Sequence, residues 1–301
     1  MTIEESIPTT PAAAPATALR PPRRRRRMRR GRVVANVVGV VFALVWIFPV
    51  YWMINTAFKR PFDVTTPTPQ FIPLHPTWTN FKAAVTQSHF LGDLRNSLIV
   101  VAGTLVLAIL LGAFASAALS RFRFRGRRLI LVVILAVQML PTTALLIPMF
   151  IVFNKLDLLG TYGGLMLAYV AAVLPFSIWV MRGFFLAIPY ELEEAAMIDG
   201  ASTWQILTRV LFPLVAPGII ATSVFAFIYA WNDYLVAFTF MKDQDMYTLP
   251  VWLASFSTPT TGTNYGGQMA ASVVFSLPVV VFFLIIQRNL VSGMSAGAVK
   301  G

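Results

Sequence analysis

Apolar residues in this chain neither alternate nor mark a single helix face; they run on in blocks. Six blocks reach the roughly 20 residues that a bilayer-spanning helix requires: 33–58, 96–119, 129–153, 163–188, 214–241 and 268–290. Blocks of that length predict an all-α integral membrane protein with six transmembrane helices. Pro49, Pro141, Pro148, Pro175 and Pro278 fall inside them. Each removes a helix hydrogen bond and predicts a kink.

The connectors carry the polar residues. The longest is 59–95, whose Pro- and Thr-rich part, 61–76, predicts extended chain. From 76 to 91, Trp78, Phe81, Ala84, Val85 and Phe90 recur at near-helical spacing, predicting a short amphipathic helix on the outer membrane surface. A second insertion, 189–213, carries Glu191, Glu193, Glu194 and Asp199, four of the twelve acidic residues. Pro189 suits the first turn of a helix, and the three glutamates that follow load the positive end of its dipole. Gly200 can take the left-handed conformation that ends a helix, and Ser202 is a suitable N-cap for the next. Trp204, Ile206, Leu207, Val210 and Leu211 give that second helix an apolar face, and Pro213 and Pro217 mark the return to the membrane. The insertion thus reads as helix, glycine turn, helix, a knob able to move as a rigid body. A helix-start charge and a plain turn are the simpler reading of the same residues.

Composition agrees with the pattern. The chain is 57% hydrophobic and 12% charged, with a mean hydropathy of +0.72, whereas about a quarter of a soluble domain is charged. The net charge of +12 would suit nucleic acid, but its distribution speaks against that partner. Nine of the 24 basic residues lie between Arg20 and Arg32, and five more in 121–128. Lys and Arg accumulate in connectors that stay cytoplasmic. With six spans and the N-terminus inside, 18 basic residues fall inside and six outside (Lys59, Arg60, Lys82, Arg95, Lys155, Lys242). Both termini and the 189–213 loop are therefore expected on the cytoplasmic side of the plasma (inner) membrane. Residues 1–32 are expected to be a disordered Arg-rich tail, with Arg23–Arg27 able to touch anionic membrane lipid. The first block is too long for a signal-peptide core. Cysteine is absent, which excludes disulfides and thiolate metal sites.

The run Glu194-Ala195-Ala196, then Asp199-Gly200, then Phe212-Pro213 resembles the coupling loop of binding-protein-dependent ABC importer permeases. The family's usual Ile-x-Leu-Pro ending stands here as Val210-Leu211-Phe212-Pro213, which keeps its hydrophobic character. In that family the loop is cytoplasmic and plugs into a cleft of the ATPase. The resemblance covers 33–301 and implies a six-span permease domain with its coupling loop at 189–213. Glu194, Ala195, Ala196, Asp199, Gly200, Trp204 and Pro213 would be the ATPase-coupling residues. Implied partners are an ABC ATPase dimer, a second homologous permease and an extracytoplasmic solute-binding protein. The stretch Trp231-Asn232-Asp233-Tyr234 and the ending 287–301 are similar to the maltose/trehalose-type sugar branch, which implies a sugar or oligosaccharide substrate. A non-sugar solute (polyamine, phosphate or peptide) and a stand-alone ion-coupled carrier are the alternatives.

Two polar groups inside apolar blocks are candidates for the translocation path. Gln138, Thr142 and Thr143 flank the Pro141 kink and could hydrogen-bond a hydroxyl-rich solute, or simply pack helices together. Asn232 and Asp233 lie about 28 Å along the fifth block at 1.5 Å per residue, near the outer interface, where an interfacial cluster is the alternative. No catalytic constellation, metal site or cofactor motif emerges. His75 and His89 stand fourteen residues apart without companions, and no phosphate loop occurs, so any ATP hydrolysis falls to another chain.

Overall fold

The computed structural model describes residues 25–86, 89–258 and 262–297. Expectations for 1–24 and for 298–301 lie outside the described residues. Two compact units divide the chain, Met1–Tyr51 and Trp52–Gly301.

Twelve helices longer than one turn are described: α1 (Arg25–Ala57), α2 (Thr79–Thr86), α3 (Phe90–Arg121), α4 (Arg127–Gln138), α5 (Thr142–Lys155), α6 (Tyr162–Ala187), α7 (Glu191–Ile198), α8 (Thr203–Leu214), α9 (Ala216–Asn232), α10 (Leu235–Phe240), α11 (Leu249–Ala254) and α12 (Tyr265–Gly297). One antiparallel strand pair, Ser257–Thr258 with Gly262–Thr263, precedes α12. Four helices are long and apolar enough to cross a membrane: α1, α3, α6 and α12. Two bent pairs, α4 with α5 and α8 with α9, raise the number of candidate spans to six. The protein is an all-α membrane protein.

The centre of the second unit is α3 packed along α6, with α9 against both. Their buried faces are made largely of small residues, among them Ala108, Gly112, Ala113, Ser116 and Ala117 on α3 and Gly218, Thr222, Ser223 and Ala226 on α9. Small side chains let helix backbones approach closely where lipid supplies no hydrophobic drive. At Gly218 an added Cβ would stand 2.6 Å from the Phe184 ring, so no other residue fits unaltered. Several buried hydroxyls bond within their own helices: Ser177 donates to the Val173 carbonyl (3.0 Å), Thr222 to Gly218 (3.0 Å) and Ser120 to Ala117 (3.1 Å). Larger side chains close the far end, where Phe227 stacks on Phe282 with ring centroids 3.8 Å apart.

Several expected elements differ. The third block is broken by 105° between α4 and α5. Pro141 offers no N–H, and the amides of Met139 and Leu140 turn back to the carbonyls of Ala136 and Val137 (both 3.1 Å), ending α4 before the proline. By contrast, the helices run on through Pro49, Pro148, Pro175 and Pro278. The fifth block does not run to 241. It stops at Asn232, because the Asp233 carboxylate accepts from the amides of Val236 and Ala237 and starts α10. Helix α1 begins at Arg25, inside the stretch expected to be disordered. The 61–76 segment opens with a helical turn, Pro61–Val64. The amphipathic helix is shorter than expected and docks on α12, with polar Asn80 as its anchor. Asn80 Nδ2 donates to the carbonyls of Ala57 (2.9 Å) and Lys59 (2.7 Å), capping the end of α1.

A clamped helical hairpin as the candidate functional site

The polar insertion folds as two helices joined by a tight turn, each boundary set by local chemistry. Helix α7 carries Glu191, Glu193 and Glu194 in its first turn. Pro189 lies before the N-cap, Tyr190, rather than within the first turn; the chain is still extended at Ile188. Helix α7 ends at Asp199, and Gly200 adopts φ +81°. The Gly200 amide donates to the Met197 carbonyl (3.0 Å) and the Ala201 amide to Ala196 (2.9 Å), the paired bonds of a Schellman ending. Two residues on, Ser202 and Gln205 form a reciprocal capping box: the Gln205 amide donates to Ser202 Oγ (3.3 Å) and the Ser202 amide to Gln205 Oε1 (2.8 Å). Helix α8 then widens to π winding over Ile206–Leu211, a form frequent at functional sites.

Burial sorts the hairpin into two sides. Ile206 and Leu211 are buried against Ala117 of α3, Phe185 of α6 and Val215. Glu194, Ala195, Asp199 and Gly200 are exposed, as is Pro213, and Ala196 is half-buried. Leu192, Met197 and Ile198 are exposed beside them, Ile198 at 87%. Trp204 also faces outward and stacks on Phe114 of α3, with ring centroids 5.9 Å apart and planes 9° apart. It was expected on the packing face; Pro213 was expected at the return to the membrane and lies within α8.

One side chain invisible to the motif holds the hairpin in place. Glu193 is 5% exposed, and its Oε1 pairs with Arg121 Nε at 2.7 Å, at the end of α3. Arg121 Nη2 also donates to the Ile188 carbonyl (3.1 Å), tying the chain just before α7 to the same guanidinium. Burial pushes the Glu193 carboxyl up, and the Arg121 charge opposes that shift. Beside the pair, an apolar cavity of about 190 Å³ is lined by Ala117, Tyr190, Ile206 and Leu211. The sequence marks each residue, an acid one position before the motif glutamate and an arginine just after an apolar block, but not their pairing.

The candidate path residues form a partial chain. Tyr169 Oη donates to Asp233 Oδ2 (2.9 Å), and the Tyr169 ring meets that of Tyr229 edge-on at 6.0 Å. Asn232 is exposed and donates to the Ile228 carbonyl (2.8 Å). Gln138 and Thr143 are exposed at the α4–α5 break and are not drawn into this chain. Trp231 is 1% exposed and donates to the Phe275 carbonyl (3.3 Å). Among the described residues, no three His, Cys, Asp or Glu side chains are placed to hold a metal ion.

Fold and site together define a multi-span helical membrane subunit carrying a docked polar hairpin. Residues 105–296 match the model of the family described as "Binding-protein-dependent transport system inner membrane component". The diacetylchitobiose uptake system permease protein DasC of Streptomyces coelicolor is 42% identical over 90% of this chain and 98% of its own length. The trehalose transport system permease protein SugB of Mycobacterium tuberculosis is 35% identical over 89% and 96%. The trehalose/maltose transport system permease protein MalG of Thermococcus litoralis is 34% identical over 90% and 97%. A chain in the crystal structure of a bacterial ABC transporter involved in alginate import shares the fold, with a TM-score of 0.76 at 24% identity, covering 89% of this chain and 99% of that one. The chain belongs to this family of inner-membrane transport components: it is a permease subunit.

Proposed function

We propose that this chain is one permease subunit of an ATP-driven importer that moves a sugar or oligosaccharide, and that the 189–213 hairpin couples it to a separate ATPase. The observation that carries the coupling role is the two-sided hairpin. It is rigid at its turn, buried on one side, clamped by Arg121–Glu193, and presents Leu192, Glu194 and Ile198 to an absent partner. A monomeric protein gains nothing from an exposed apolar rim around a fixed polar turn, whereas a docking cleft does. Sugar as substrate is supported by relatives whose names specify diacetylchitobiose, trehalose and maltose.

In this reading two ATPase subunits bind the hairpins of this chain and of a second, homologous permease. An extracytoplasmic binding protein delivers the solute at the opposite end. Closure of the ATPases on ATP moves the hairpins as rigid bodies, and α6 and α9, joined to them by short links, follow. The permease domain is residues 33–301, both termini face the cytoplasm, and the chain supplies no bond-breaking group. The test is purification of the tagged complex, identification of its stoichiometric companions by mass spectrometry, and uptake by the reconstituted complex of trehalose, maltose, diacetylchitobiose, a polyamine and phosphate. Recovery of an ATPase and a second multi-span chain, with uptake of a saccharide, is expected. A chain that purifies alone and transports alone is an ion-coupled carrier, and uptake of only the polyamine or phosphate removes the sugar reading.

A further inference from the structure

At the end of α3 opposite Arg121 lies a second cavity, of about 270 Å³, that the coupling hairpin does not involve. Its walls include Asp93 from the first turn of α3, Tyr234 and Phe238 around the start of α10, Tyr247, and Trp252 from α11. His89 stands at its rim, bonded to the exposed Asp245 at 3.1 Å.

Two polar atoms in these walls are buried without a partner: Asp93 Oδ1 and Trp252 Nε1, each on a side chain 3% exposed. In its carboxylate form the first can only accept, and the second can only donate. An orphaned buried polar atom costs about 1–3 kcal/mol, and two in one cavity ask for a shared occupant. The walls are fixed in advance. Asn96 Nδ2 donates to the carbonyls of Asp245 and Tyr247 (both 2.8 Å), and Ser97 Oγ accepts from the Leu249 amide (2.7 Å). Tyr234 and Phe238 lie parallel, with ring centroids 5.4 Å apart and planes 14° apart.

We propose that this cavity is a subsite for one ring of a neutral saccharide. The inference rests on the sugar-import reading and gives this chain its own contact with the solute. A cation would satisfy Asp93 and leave the indole N–H unpaired. An anion would answer the indole and face the carboxyl group of Asp93. A hydroxyl both donates and accepts, so a polyol answers both orphans at once. The aromatic side chains offer flat apolar surfaces to the C–H faces of a pyranose. The volume lies just under the roughly 300 Å³ at which small-molecule sites begin, which limits the occupant to about one ring. The site would hold the leading ring of an oligosaccharide as it leaves the binding protein, before the path opens.

The test uses the whole complex in proteoliposomes with its loaded binding protein, and trehalose, maltose and diacetylchitobiose as probes. With the probe that the unmodified complex carries best, the readout is saccharide moved per ATP hydrolysed. Trp252→Phe removes the N–H together with part of the ring system and is expected to lower this ratio about fivefold; Asp93→Asn, which cannot ionise, is expected to lower it tenfold or more, as a bond to an ionised group is stronger. Saturation-transfer NMR on the complex without binding protein gives a second readout, in which the probe's ring protons lose their signal in both variants. Assembly is checked by co-purification of the companions, and Trp252→Phe carries the decision if Asp93→Asn fails to assemble. Unchanged ratios and NMR signals in an assembled Trp252→Phe complex overturn the subsite alone. An unmodified complex that carries only a polyamine or phosphate overturns the sugar-import reading, and the subsite falls with it.

Discussion

Glu193 and Glu194 are neighbours in sequence with opposite circumstances, one sealed against Arg121 and the other open to solvent. Substitution should separate them. Glu194→Lys leaves every described contact of the hairpin intact, so the protein is expected to insert and melt normally while uptake is lost. Glu193→Ala strands a nearly buried guanidinium and is expected to cost up to about 3 kcal/mol, seen as a lower melting temperature of the detergent-solubilised complex. The exchange Glu193→Arg with Arg121→Glu should recover part of that loss. If the single and double variants melt alike, the pair does not clamp the hairpin. Gly200→Val places a β-branched side chain at φ +81°, a conformation costing about 1–2 kcal/mol for residues other than glycine. It should abolish uptake with little loss of membrane-inserted protein, whereas full uptake would remove the requirement for this turn.

The inner boundaries of the hairpin were readable because neighbours in sequence make them. The end of α7 at Gly200 and the start of α8 at Ser202 follow from backbone permissiveness and from a side chain that reaches three residues ahead. What escaped were boundaries and contacts decided in three dimensions. Pro141 marks where α4 must stop but says nothing about the 105° at which α5 departs. Asp233 reads as an interfacial charge inside a longer apolar block, so its local bond to the Val236 amide is masked by hydropathy, and only the folded chain reveals it as the acceptor of Tyr169. Arg121 and Glu193 are separated in sequence by α4, α5 and α6, so no local pattern could join them. At this scale Ser202→Ala is expected to cost about 1 kcal/mol through loss of the capping box, with uptake reduced rather than abolished. Asp233→Ala should free the first turn of α10 by about 1–2 kcal/mol, measurable as faster hydrogen exchange at Val236 and Ala237. Unchanged exchange there would mean that the amides find another acceptor.

Across the whole molecule, block-like hydropathy and the placement of basic residues gave the six-span architecture, because both are sums over many residues and tolerate local error. The absence of cysteine makes the proposed orientation directly measurable. Single cysteines at Ala201 and at Thr77 should label from opposite sides of sealed vesicles, the first only with cytoplasmic reagent, and labelling from one shared side would overturn the arrangement. One feature of the architecture joins the two ends of the transport cycle. Helix α3 is unbroken from Phe90 to Arg121, about 48 Å at 1.5 Å per residue; its first turn lines the proposed sugar cavity and its last residue grips the hairpin. In the proposed cycle a strut of that kind keeps time between its ends: whatever tilts it at the hairpin reshapes the cavity in the same stroke, with no relay of intermediate contacts to lag or slip.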